Sequence, residues 1–292
     1  MSRSRDAVSA AFVAACRAEL DVVKPGNVHR FAAGHGMDVA LFEASAVAAA
    51  PHIADPNIPV GTRILRATEA SWAAVGLNTN LGIVLLCAPL AAAAEHAAAK
   101  GLPIGPARLH EAVRAVLSGL GPTDARDAFA AIARASPGGL GDADEHDVRQ
   151  PPAIGLVGAM RLAAGRDLVA RQYSDGFAEI FGVGLPALDS GARLPERPEG
   201  LGPALDCFLE FATRFPDSHI GRKYGPDVAE AVRREFMQFA KRLKMKGNSP
   251  EAATLALNFD GELKRRRINP GTSADLTVAS LFSKQLAEHV GG

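Results

Sequence analysis

Aromatic residues are scarce in this 292-residue sequence: they make up 5 %, with one tryptophan and two tyrosines. A β-sandwich or barrel normally draws on more aromatic and β-branched side chains, so the shortage, set beside abundant alanine, favours closely packed helices. Cysteine is scarcer still. Cys16, Cys87 and Cys207 lie far apart among apolar neighbours, and no Cys-x-x-Cys pair occurs. That argues against a disulfide framework or a zinc knuckle and leaves buried thiols, as expected in the reducing cytoplasm. Net charge is missing too, with 32 Lys+Arg against 32 Asp+Glu. A general nucleic-acid binder would be more basic, so no nucleic-acid partner is expected. The longest apolar run, Leu81 to Ala94, covers about 14 residues, short of the roughly 18 that a membrane span needs. It runs on into Glu95 and His96, which reads as a buried helix with no membrane partner. The basic start, Met1-Ser2-Arg3-Ser4-Arg5, leads into Asp6 and a helical pattern instead of an apolar signal core.

What is present is helical periodicity. Hydrophobic residues form 48 % of the chain, enough for a sizeable core. Val8, Phe12, Cys16 and Leu20 recur every fourth residue, and Lys24-Pro25-Gly26 ends that stripe. Val228, Val232, Phe236, Phe239 and Leu243 repeat it after Gly225-Pro226, as do Val278, Phe282 and Leu286 near the C-terminus. Further helices are expected around 39–50, 62–76, 80–99, 107–118, 124–135, 153–164, 167–181, 201–214 and 250–264. No stretch alternates like a strand between hairpin turns. Segments 136–152 and 184–200, rich in Gly, Pro and charge, read as surface loops. The expectation is an all-α protein with one multi-helix domain over residues 1–292. Its alanine-rich helices suit a homo-oligomer interface as well as an internal core.

Four polar segments interrupt the helices. The first is Lys24-Pro25-Gly26-Asn27-Val28-His29-Arg30, followed by His35-Gly36-Met37-Asp38. Cationic side chains beside a glycine turn can receive phosphate oxygens, making Lys24 and His29 candidate ligands, with the amide of Asn27 beside them. Asp38 is a candidate for Mg²⁺ or simply caps the next helix. In the second segment Asn78, Thr79 and Asn80 precede the most apolar helix, whose free N–H groups either take them as caps or bind an anion. The third runs from Phe215 to Gly225 and sets Asp217, Ser218, His219, Arg222 and Lys223 within seven residues. A phosphate or metal–phosphate complex suits it, as does a solvated loop. Asp217-Ser218-His219 is too compact for a hydrolase triad, and no G-x-S-x-G elbow is present. The fourth, Ile268 to Leu276, holds Asn269, Gly271 and Ser273, with Thr272 and Asp275 at capping-box spacing that a structural cap alone explains. Between residues 222 and 267 there are 12 Lys/Arg against 6 Asp/Glu, densest at Lys264-Arg265-Arg266-Arg267. A solvated helix face and a rim that draws polyphosphates both account for this. Within the dense cluster Lys264-Arg265-Arg266-Arg267 no aromatic is interleaved for base stacking.

Taken in order, these segments resemble the signature of the triphosphoribosyl-dephospho-CoA synthase family, which includes proteins that prepare the prosthetic group of citrate lyase and malonate decarboxylase. The resemblance runs from about Glu19 to about Leu286. Lys24-Pro25-Gly26 resembles the family's K-P-G-(L/N)-V motif, with Glu19 in the place of an upstream acid. Asn78-Thr79-Asn80 falls where the family has N-T-H-K-G, and Asp217-Ser218-His219 resembles its D-(T/S)-(N/H) segment. Asn269-Pro270-Gly271-Thr272-Ser273-Ala274-Asp275-Leu276 is similar to S-P-G-G-S-A-D-L.

The resemblance implies an all-helical fold and transfer of a 5-triphosphoribosyl group from ATP to the ribose hydroxyl of dephospho-CoA, with release of adenine. That is displacement at an anomeric carbon through an oxocarbenium-like transition state. On this chemistry Asp38, Asp217 and Asp275 are the candidate catalytic carboxylates. Lys24, His29, Arg222 and Lys223 neutralise the triphosphate with Mg²⁺, for which Asp38 and Asp217 are candidate ligands. Asn80-Leu81-Gly82 departs from the family's His-Lys-Gly. The family's Gly-Ala-Arg-Gly-Glu segment is not recognisable, and Arg171 to Gly176 occupies its region. The N-T-N-L-G and K-P-G-N-V forms resemble an archaeal-type branch also found in bacteria that use methanopterin-like cofactors. Two alternatives therefore stay open: an enzyme of methanopterin- or methylofuran-like cofactor biosynthesis, and a non-catalytic nucleotide-binding helical protein. The expected partner is a nucleotide or ribose-phosphate small molecule.

Overall fold

Apolar residues spaced three and four apart become the buried stripes of helices, and helices make up all but a short turn of the regular structure. The computed structural model describes residues 2–99, 104–135, 154–193 and 197–289. In chain order come α1 (Ser2–Leu20), α2 (Val39–Ile53), α3 (Val60–Val75), α4 (Leu81–Ala98), α5 (Pro106–Ser118), α6 (Pro122–Ala135), α7 (Leu156–Ala163) and α8 (Leu168–Asp175). A π-helical turn, Ile180–Gly184, leads into α9 (Leu185–Ala192). The chain then forms α10 (Pro203–Arg214), α11 (Ser218–Tyr224), α12 (Pro226–Lys246), α13 (Pro250–Arg265) and α14 (Gly271–His289). The fold is all-α, with no strand among the described residues.

The expected helices appear within a few residues of their predicted bounds, with three corrections. The helix expected over 167–181 stops at Gly176, whose left-handed φ of 65° ends α8. The loop expected over 184–200 contains α9: Pro186 falls in its first turn, where no N–H is needed, and Leu185 and Leu188 are buried. Gly184, at the start of that expected loop, is there for a close approach, because a Cβ on it would stand 2.8 Å from the Ser280 Cβ on α14. Thirdly, the polar segment 215–225 is not an open loop, since its centre is α11. The expected loop at 136–152 lies outside the described residues.

Buried apolar residues fall into two clusters. The larger gathers α1 to α9, Cys207 and Phe211 of α10, and the later turns of α14. The smaller packs Val22 and Val23 against α10, α12 and α13. Two crossings between them matter for the site. The chain passes from Cys16 in the first cluster to Val22 in the second, and from Ala274 in the second to Leu276 in the first. Glu19 and Asp275, the polar residues at these crossings, are thereby carried to the seam.

The centre of the larger cluster is α4. It is long and apolar enough to cross a membrane, and 72 % of it is buried inside the fold. Alanines fill it: Ala88, Ala91, Ala93 and Ala94 are fully covered, and small side chains let neighbouring helices come close. Pro89 sits within α4 and lacks the N–H that would bond Leu85. The freed Leu85 carbonyl instead accepts a 2.7 Å hydrogen bond from the buried Tyr173 hydroxyl on α8. Tyr173→Phe is expected to cost about 1–3 kcal/mol, because it orphans a buried carbonyl. In a Pro89→Ala background the helix regains its own donor, so the same change should cost clearly less. Thermal melts of the four proteins check this, and equal costs in both backgrounds would refute the pairing.

Candidate active site

Asp217 holds the site together. It is 4 % exposed and precedes α11, where its Oδ1 accepts from the backbone N–H groups of His219 and Ile220 at 2.9 and 3.2 Å. Its Oδ2 accepts from the N–H and the hydroxyl of Ser273, both at 2.8 Å, in the first turn of α14. One carboxylate thus caps two helix N-termini, each of which presents unpaired donors and a positive dipole end. Thr272 adds to the same joint, its hydroxyl oxygen accepting from His219 N–H at 3.1 Å. The capping box expected between Thr272 and Asp275 does not form. α14 already begins at Gly271, its N–H groups are met from α11, and Asp275 is left for other work.

The first polar segment packs onto the fourth. Gly26, at φ 85°, lies so near the Ile268–Pro270 turn that a Cβ would stand 2.9 Å from the Ile268 carbonyl oxygen. Asn27 donates from its Nδ2 to the Asn269 Oδ1 at 2.8 Å, and the His35 Nε2 is 2.7 Å from the Gly26 carbonyl. Behind them Asp260 of α13 accepts from Gly26 N–H at 2.8 Å. Its other oxygen lies 2.9 Å from the Lys264 Nζ and 3.2 Å from the His29 Nε2. Burial pushes Asp260 up, but the bonds from His29 and Lys264 outweigh it and hold the carboxyl below its ordinary range. Burial also lowers His29, whose Nε2 faces Asp260 and whose buried Nδ1 has no partner among the described residues. Lys24 is fully covered, bonded to the Val28 carbonyl and paired with Glu19 at 2.9 Å. Burial pushes Glu19 up and Lys24 down, and each partner holds the other against that pull.

Asp275 closes the floor of the site. Its half-buried carboxyl lies against Gly82 in the first turn of α4, where a Cβ would stand 2.6 Å from the carboxyl carbon. No hydrogen-bond partner meets it among the described residues. Burial, then the nearby charges of Asp217 and Glu19, push Asp275 well above the usual carboxylate range, against the pull of Arg222. Arg222 itself is paired with Asp167, the N-cap of α8. Ser218 completes this edge by accepting from Leu168 N–H at 2.8 Å.

The structure brings three of the four expected segments together through direct bonds, and the second joins them through Gly82. The side chains of that second segment point elsewhere. Thr79 donates to Ser45 of α2 at 2.6 Å and Asn80 to Ser71 of α3 at 3.0 Å, while Asn78 alone caps α4, through Leu81 N–H at 3.3 Å. Leu81, where the resembling family has lysine, is buried in the larger core. Asp38 is exposed and caps α2 by accepting from Leu41 N–H at 3.1 Å. Among the expected cations Lys24 and Arg222 are committed to carboxylates, and Lys223 is exposed over the Tyr224 ring at 5.3 Å. His219 is half-buried with its ring against Gly271. Burial, followed by Arg222, Lys223 and His35, lowers it in spite of Asp217.

Sequence reading missed Asp260, Asp167 and Gly82. Asp260 left a signal, because it continues the buried stripe Ala252, Ala256 of α13 at four-residue spacing, where a carboxylate needs partners. The pairing of Asp167 with Arg222, 55 residues away, left none. No group of three or more His, Cys, Asp or Glu suited to a metal occurs among the described residues. Asp217, an expected Mg²⁺ ligand, already uses both oxygens on helix donors.

Comparison with known proteins gives this geometry a context. The family model described as ATP:dephospho-CoA triphosphoribosyl transferase (CitG) matches residues 5–292. The fold is similar to the crystal structure of a candidate triphosphoribosyl-dephospho-CoA synthase from Archaeoglobus fulgidus. The TM-score is 0.62 at 24 % identity, over 84 % of this chain and 98 % of that one. No curated protein matches the sequence.

The raised carboxyl of Asp275 fixes the sign of a stability change. A folded-state value above the unfolded one means that the unfolded chain releases this proton first, so stability falls as pH rises from about 4 through the raised value. Asp275→Asn removes that fall. Its melting temperature is expected to match wild type near pH 4 and to exceed it by a growing margin towards neutral and alkaline pH. A margin that does not change with pH would contradict the assignment.

Proposed function

The chain belongs to the ATP:dephospho-CoA triphosphoribosyl transferase family, and on that footing we propose how its residues divide the work of the transfer. The reaction moves a triphosphoribosyl group from ATP to a dephospho-CoA-type acceptor. In it the bond from the anomeric carbon to adenine breaks, adenine leaves with the electron pair, and the acceptor hydroxyl oxygen bonds to that carbon.

Asp275 carries the chemistry. A carboxyl that burial pushes well above the ordinary carboxylate range, with no hydrogen-bond partner among the described residues, is suited to protonate the departing adenine. Glu19 and Asp167 supply negative charge around the same floor, where positive charge develops on the ribose. Asp217 works as the joint that aims these groups, since its oxygens are spent on helix N–H donors. His219, half-buried and lowered by burial and neighbouring cations, takes the proton of the attacking hydroxyl. Asn27, Asn269 and Lys223 line the side open to the phosphates. Mg²⁺ comes with the triphosphate, since magnesium bound through phosphates needs no all-protein cage. The buried free thiols of Cys16, Cys87 and Cys207 suit a cytoplasmic setting.

The single observation behind this reading is the carboxyl of Asp275 resting on Gly82 at the seam of the two cores, with no hydrogen-bond partner among the described residues. Purified protein with ATP and Mg²⁺ is expected to release adenine only when dephospho-CoA is present. Gly82→Ala, which pushes Asp275 aside, and Asp275→Asn are each expected to lower that release by about 100-fold while the fold is kept. Near wild-type release from Asp275→Asn would remove it as the acid. ATP binding without adenine release would point to another acceptor, of the methanopterin- or methylofuran-precursor kind.

A further inference from the structure

The end of α13 carries an arginine where the backbone favours glycine. Ile268 N–H bonds the Leu263 carbonyl and Arg267 N–H bonds the Lys264 carbonyl, both at 2.9 Å. These two bonds are the paired closure of a helix C-terminus in which the residue at the turn adopts a left-handed conformation, usually as glycine. Arg267 occupies that position at φ 58°, against the preference of any side chain bearing a Cβ. The Tyr224 hydroxyl donates to the Arg267 carbonyl at 3.0 Å and fixes the turn against the end of α11.

Pairing splits the basic cluster in two, with Arg265 and Arg267 exposed and without a carboxylate partner among the described residues. Lys264 is paired with Asp260, and Arg266 with Glu235 and Glu262. Arg267 is exposed, and no carboxylate pairs with it among the described residues. A cation favoured only by the helix dipole belongs in the last turn, where Lys264 and Arg265 already stand. On the other side of Tyr224, Lys223 is exposed too, its ammonium over the Tyr224 ring. Two residues beyond Arg267, Asn269 bonds Asn27, and Gly271 backs onto His219. Lys223 is near enough to His219 and His35 to lower both, and Arg267 is joined through its carbonyl to the neighbouring Tyr224.

We propose that Arg267 and Lys223, held apart by Tyr224, form a clamp for the polyphosphate of the donor nucleotide, with Arg267 kept in a glycine conformation to aim its guanidinium. The role of the clamp in catalysis rests on the transferase reading above, but its anion binding does not. Arg267→Gly separates the two possibilities that matter, because glycine suits the turn and removes only the side chain. The test measures binding of inorganic tripolyphosphate by calorimetry, melting temperature, and KM for ATP in the adenine-release assay.

For Arg267→Gly the expected result is an unchanged or higher melting temperature, with tripolyphosphate binding weakened about ten-fold or more and KM for ATP raised to match at nearly constant kcat. Lys223→Ala should weaken binding likewise, and Arg267→Lys should restore part of the loss. Wild-type binding by Arg267→Gly, or no tripolyphosphate binding by the wild-type protein, overturns the clamp. Binding that depends on Arg267 without any adenine release leaves the clamp standing and overturns the transferase reading instead.

Discussion

Everything in the site depends on how one buried carboxylate is shared. Helix N-termini leave N–H groups unpaired, and two of them meeting in a nearly dry seam would be costly without an acceptor. Asp217 meets this need for α11 and α14 at once, so the position of each helix is set by the other. The fold uses the same device away from the site, where Asp124 accepts from Gly61 N–H at the start of α3 and from Gly121 N–H before α6, both at 2.8 Å. At the seam the consequence is chemical. With Ser273 N–H at its start satisfied by Asp217, α14 does not need Asp275 as a cap, and among the described residues that carboxyl has no hydrogen-bond partner where it rests on Gly82.

Around this joint, charges are sorted by whether they have partners. Glu19 with Lys24, Asp260 with His29 and Lys264, and Asp167 with Arg222 are internal pairs that give the floor its shape. Such pairs contribute little net stability, yet removing one member leaves an uncompensated charge and costs about 3–5 kcal/mol. Among the described residues, Asp275 and His219 within and Lys223, Arg265 and Arg267 on the exposed side have no carboxylate partner. Acid inside and cation outside match a reaction that builds positive charge on a sugar while holding a polyphosphate.

Much of the fold was legible in the sequence, because helical periodicity needs only neighbours a turn apart. Val8, Phe12, Cys16 and Leu20 announced α1, and the polar segments marked where helices end at the seam. The Gly- and Pro-rich segment 184–200 misled, since Gly184 serves close packing and Pro186 falls in the first turn of α9. The site was legible as four segments in order, through their resemblance to a family, but the work of each residue was not. A short sequence run does not say that Asp217 faces Ser273, 56 residues away, or that Thr79 and Asn80 turn inward to Ser45 and Ser71. Leu81 was read as the loss of a phosphate-binding lysine, and its burial in the core is a property of long-range packing.

The most direct test of the shared carboxylate is amide hydrogen exchange in Asp217→Ala. The account predicts faster exchange at His219, Ile220 and Ser273 together, with protection in the core of α4 unchanged. Unchanged protection at Ser273 beside lost protection at His219 and Ile220 would contradict it, since Asp217 would then hold α11 alone.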